Sequence, residues 1–137
     1  MKFFISYMVS LLFSMVALVL PFVHKMMSDG FFYFTVMLSI ALFLLVPLSF
    51  LGCVIAELVF TLKKEDFTSL KSGTPTYVSL GLAFGLLVEL IFSQQSYVGE
   101  NMFLAFVYFG FVSIVGLLAF YYTRYTLEKK QSSLPRQ

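Results

Sequence analysis

Two carboxylates, Glu57 and Glu89, interrupt stretches of sequence that are otherwise almost free of charge. An ionised carboxylate near the centre of a membrane helix costs about 2.5 to 3.5 kcal/mol, so each needs a partner, a proton or a wet cavity. At helical spacing Glu57 continues a face holding Ser49 and Cys53, with Gly52 and Ala56 beside it. Glu89 likewise continues the face of Gly81 and Gly85. Both acids therefore share their helix's small-residue side, which predicts that they point inward. Glu57 precedes Lys63 by six residues, which places it about 9 Å from that edge by helical rise. Arg124, at the same edge of the last apolar run, is the fixed cation expected to pair with it. Glu89 matches Tyr108 in depth, and a hydrogen bond between them is expected, weakened by exchange of Tyr108 to Phe. The two acids differ in depth by roughly 9 to 10 Å on this reckoning, which suits neither a shared metal nor a close acid pair. Two readings remain for them: structural pairing between helices, or a proton or cation relay.

Other chemistry has little to work with. His24 is the sole histidine; it follows Pro21 beside Lys25 and reads as an interface residue. Cys53 is the sole cysteine, so neither an intramolecular disulfide nor a cysteine metal cluster can form. No Ser/His/Asp set, phosphate-binding glycine loop or histidine metal motif is present, so no enzyme activity, cofactor or metal is expected. A net charge of +2 gives no electrostatic footprint for nucleic acid.

The elements that carry these residues are long apolar runs. With 60% hydrophobic and 12% charged residues, the 137-residue chain has too little polar surface to cover a soluble globule. Four runs, about 3–23, 34–62, 76–96 and 102–124, are each long enough to cross a bilayer core. The first competes with a secretory signal peptide, but its length and the absence of a small-residue cleavage pattern predict a retained helix. Pro47 is expected to kink the second. The third is expected to begin after the breaker cluster Ser72, Gly73, Thr74, Pro75. A short loop, 63–75, and a polar tail, 125–137, complete a single domain. The expected fold is thus an all-α, integral membrane four-helix bundle. Lys2, Lys63, Lys64, Lys71, Arg124, Lys129, Lys130 and Arg136 fall on one side and only Lys25 on the other, so both the N-terminus and the C-terminus are expected to be cytoplasmic. Tyr77, Tyr121, Tyr122 and Tyr125 would form an aromatic belt on that side, and Tyr33 and Tyr97 the outer one.

Small residues let helix backbones approach, and each run carries a stripe of them. They are Ser6, Ser10 and Ser14 in the first, the Gly81/Gly85 pair in the third, and Gly110, Ser113 and Gly116 in the fourth. Gly81 and Gly85 form a G-x-x-x-G pattern, readable as a homodimer seam or as packing inside one bundle.

The hydropathy, the richness in Phe and Lys and the short loops together resemble the uncharacterised small four-span membrane proteins of low-GC Gram-positive bacteria. That resemblance implies a multi-pass protein of the bacterial cytoplasmic membrane. In size and span number the chain is similar to small multidrug transporters, but their essential glutamate is in the first span, where this sequence has serines. The leading expectation is a non-enzymatic bundle acting through contacts with a membrane protein partner or with itself, in the lipid bilayer. The alternatives are a small transporter or channel using Glu57 or Glu89, and a holin-like pore suggested by the basic tail Lys129 to Gln137.

Overall fold

A computed structural model describes residues 1–20, 31–63, 69–93 and 102–132. His24, Lys25, Tyr97 and the end of the tail lie outside the described residues, as does the side chain of Tyr33. The described chain forms four helices: α1 (Lys2–Val19), α2 (Phe31–Leu62), α3 (Leu70–Ser93) and α4 (Met102–Ser132). Each contains a stretch long and apolar enough to cross a membrane.

α4 is the axis of the bundle. α1 and α3 lie along it on separate flanks and share no contact among the described residues, while α2 packs more on α1 and α4 than on α3. The core follows from that arrangement: Cys53, Ala56 and Phe60 of α2 are buried with Tyr7 of α1, Tyr77 of α3, and Leu117, Phe120 and Tyr121 of α4. The outward faces are apolar on every helix, including Phe4, Leu12 and Phe13 on α1, Phe43 and Leu51 on α2, Leu86 and Leu90 on α3, and Phe111 on α4.

Two boundaries differ from the sequence expectation. α3 begins at Leu70, so Ser72 to Pro75 lie within the helix instead of ahead of it. Its start is fixed by a reciprocal serine cap: the Ser72 N–H donates to Ser69 Oγ at 3.3 Å, and the Ser69 N–H donates to Ser72 Oγ at 3.3 Å. This is a capping-box arrangement with Ser72 in the place usual for Glu or Gln. Ser69→Ala is expected to cost about 1 kcal/mol of stability and to fray this end, seen as faster amide exchange at Lys71 to Gly73. The second difference is α4, which continues to Ser132, so most of the expected polar tail is helical. The hydroxyls of Thr123 and Thr126 donate to the carbonyls of Ala119 and Tyr122 one turn back, which satisfies them without breaking the helix.

α2 runs unbroken past Pro47. Two hydroxyls donate to carbonyls just before that proline, Ser49 to Leu45 at 2.7 Å and Tyr7 of α1 to Val46 at 3.4 Å. The carbonyl that Pro47 leaves without an intrahelical donor is that of Phe43, four residues back, so these two bonds add to the ladder beside the proline and tie α2 to α1.

Candidate functional site

The glycines and serines of the stripes lie at helix crossings. An ideal Cβ on Gly81 would come within 2.8 Å of Ile114 Cα, and one on Gly85 within 2.6 Å of Gly110 Cα. The G-x-x-x-G pair is therefore spent inside the chain, with α3 backbone against α4 backbone. This overturns the homodimer seam as a reading of Gly81 and Gly85. On the opposite flank of α4, Gly116 is covered by Ser14 and Ser10 of α1, and Ser10 Oγ donates to the Gly116 carbonyl at 2.7 Å. The Cys53 thiol donates in turn to Ser10 Oγ at 3.4 Å, joining α2 to the same crossing. Gly73 faces Tyr121 so closely that a Cβ there would collide with the phenol.

At the basic end of the bundle the structure brings Glu57 and Arg124 together. Arg124 Nε donates to Glu57 Oε2 at 2.9 Å and Oε1 at 3.1 Å, and its Nη2 donates to Oε1 at 2.9 Å. The guanidinium also reaches Glu128 Oε2 through Nη1 at 2.8 Å, one turn along α4, and Lys2 Nζ of α1 donates to that same oxygen at 2.8 Å. Its carbon lies 5.0 Å from the centroid of the Phe60 ring. One planar cation thus ties α4 to α2 by a fork and to α1 through Glu128, a geometry that an ammonium cannot reproduce. Glu128 and Lys2 were not singled out from the sequence. Continuing α4 by one turn past Arg124 would have placed Glu128 beside it as an i, i+4 partner.

Beneath this network the tyrosines depart from the expected belt. Tyr77 and Tyr121 are fully buried and stacked, with ring centroids 4.5 Å apart and planes 20° from parallel. The Tyr77 hydroxyl donates to the Ala56 carbonyl at 2.9 Å, and Tyr121 donates to the Ser69 carbonyl at 3.3 Å. They act as polar pins between helices, not as anchors facing an interface; Tyr122 keeps an exposed ring.

Glu89 and Tyr108 are not joined. The Tyr108 hydroxyl donates to the Leu18 carbonyl of α1, and neither oxygen of Glu89 has a hydrogen-bond partner although the residue is only 4% exposed. The physical reason is the central position of α4. Tyr108 meets α1, where the last turn of a helix leaves unpaired carbonyls, whereas Glu89 follows the Gly81/Gly85 face. Tyr108→Phe is accordingly expected to cost about 1 kcal/mol, through the lost bond to Leu18. In a double-mutant cycle with Glu89→Gln the two costs should add; a coupling energy between them would restore the contact expected from the sequence.

The two acids also lie farther apart than expected. Glu57 is held at the level of Arg124, whereas Glu89 lies one turn beyond the crossing of Gly85 with Gly110, roughly 27 Å of helical rise away. Among the described residues no three of His, Cys, Asp and Glu form a group able to hold a metal ion. No family model matches the chain, and neither a curated protein nor a solved structure matches it.

Proposed function

We propose that this chain is a multi-pass protein of a bacterial cytoplasmic membrane, with both ends in the cytoplasm, that works through helix contacts with a membrane protein partner or a second copy. The supporting observation is how its polar groups are used. Glu57, Arg124, Glu128 and Lys2 are engaged with one another, and the buried hydroxyls of Ser10, Tyr77 and Tyr121 hold neighbouring helices. What faces outward along the helices is apolar, with Phe43 81% and Leu12 59% exposed. Faces of that kind suit lipid and other membrane helices. The cytoplasmic assignment draws on the bias of eight basic residues against one, Lys25.

The test begins with alkaline extraction of membranes, which should leave the protein in the pellet, and a reporter behind Gln137 that should be active only inside the cell. Cross-linking in intact membranes followed by affinity purification should then recover a discrete larger species containing a second membrane protein or a second copy. Release into the aqueous fraction would remove the membrane reading. Recovery of the monomer alone at every cross-linker dose would remove the contact reading.

A further inference from the structure

The exposed face of α4 changes its chemistry along its length. Val107 and Phe111 are exposed and apolar, Tyr122 is exposed and carries a hydroxyl, and Lys129 is exposed and charged. Phe111, Tyr122 and Lys129 succeed one another at about three and then about two helical turns, so their side chains leave α4 on nearly one line. The neighbouring edge of α3 carries matching groups. Thr74 Oγ1 lies 3.3 Å from the Tyr122 hydroxyl across the seam, an exposed pair, and Lys71, also exposed, precedes Thr74 on α3. Measured from that pair toward the basic end, Lys71 is roughly 4.5 Å and Lys129 roughly 10.5 Å of helical rise farther on, one on each helix. Among the described residues the carboxylates of this end are Glu57 and Glu128, and both are drawn to Arg124, with Glu128 also taking Lys2 from α1, the flank of α4 away from α3.

We propose that this edge of the α3–α4 seam binds an anionic phospholipid, with the headgroup phosphate at Lys71 and Lys129, the glycerol region at the Thr74 and Tyr122 hydroxyls, and an acyl chain along Phe111 and Val107. Charge, then hydroxyl, then hydrocarbon is the order of groups in the lipid itself, and the protein presents their complements in that order. Lysines at a helix end extend their stems along apolar surface and place the ammonium at headgroup level, where each adds attraction for anionic lipid. Two ammonium groups favour a headgroup of net negative charge over a zwitterionic one, which carries a cation of its own. A soluble phosphate would meet the lysines but leave the apolar line below them uncovered, so the occupant is the lipid. The proposal rests on the membrane reading, whose failure shows as release by alkali; the lipid site fails with the protein still in the pellet.

The test is native mass spectrometry of the full-length protein released from detergent micelles that hold equal amounts of phosphatidylglycerol and phosphatidylcholine. The expected result is a bound phosphatidylglycerol several-fold in excess of bound phosphatidylcholine. Lys71→Gln combined with Lys129→Gln should abolish that preference, and the paired exchange of both lysines to Arg should keep it. Lys63→Gln, at the same end but on α2, should leave it unchanged, and an excess of soluble glycerol phosphate should not displace the lipid. Equal binding of the two lipids by the wild-type protein would overturn the proposal, as would a preference that survives in the double Gln variant. Loss of the preference in Lys63→Gln would show a general attraction of the basic end in place of a site, and displacement by glycerol phosphate would show an anion site without the lipid; either result overturns it as well.

Discussion

Arg124→Met is expected to destabilise the bundle by about 3 kcal/mol, because removing one member of a shielded ion pair leaves the other charge uncompensated. Arg124 and Glu57 are 14% and 25% exposed at their side chains, so little water is at hand to replace the lost contacts. The loss extends beyond one pair, since Glu128 would lose the guanidinium it shares with Lys2 and Phe60 would lose the cation beside its ring. Arg124→Lys should recover less than half of the cost, because a single ammonium cannot serve both oxygens of Glu57 and reach Glu128 together. Glu57→Gln combined with Arg124→Met should be closer to wild type than Arg124→Met alone. Reversible unfolding in mixed micelles measures all four proteins. A wild-type midpoint for Arg124→Met would show that the network contributes nothing to stability.

Gly85→Val should be comparably severe, on the order of 3 kcal/mol, the upper end of what overpacking costs. The atom it would meet is the Cα of Gly110, and backbone cannot rotate away as a side-chain tip can. The complementary substitution is predicted to behave oppositely. A Cβ on Gly110 meets only Leu82 Cδ2 at 3.9 Å, an ordinary contact. Gly110→Ala should therefore be neutral or stabilising by up to about 1 kcal/mol, from helix propensity alone. Two glycines at one crossing thus differ in sign. Equal effects at Gly85 and Gly110 would contradict the packing described for α3 on α4. The oligomeric state should not respond to Gly81 or Gly85, because both are occupied within one chain.

The pairing of Glu57 with Arg124 was readable in the sequence because charge is scarce in apolar runs and both residues lie near the same edge. The small-residue stripes were readable for a related reason: close backbone approach demands glycine or serine at helical spacing, and Ser10, Gly81, Gly85 and Gly116 all lie at crossings. What could not be read was which helix each stripe meets. Depth matching alone joined Glu89 to Tyr108, yet depth is shared by every helix in a bundle, and it was the flank of α4 that decided. The start of α3 was obscured because Ser72, Gly73, Thr74 and Pro75 carry the composition of a breaker, while the Ser69/Ser72 cap that overrides it is a pairing of two polar side chains. Tyr77 and Tyr121 illustrate the same ambiguity, since tyrosine near a basic edge serves equally as anchor or as buried pin.

The helix against which α1 and α3 both lean follows them in the chain and is therefore made after both. Until α4 arrives, α1 and α3 share no contact among the described residues, and Lys2 waits for Glu128, 126 residues further along. A chain made only as far as α3 can already form the bonds of Tyr7 and Cys53 between α1 and α2, yet its Ser10 hydroxyl lacks the Gly116 carbonyl and its Glu57 lacks Arg124. Chains shortened before Arg124 would be expected to insert yet never to close, leaving them as substrates for membrane quality control.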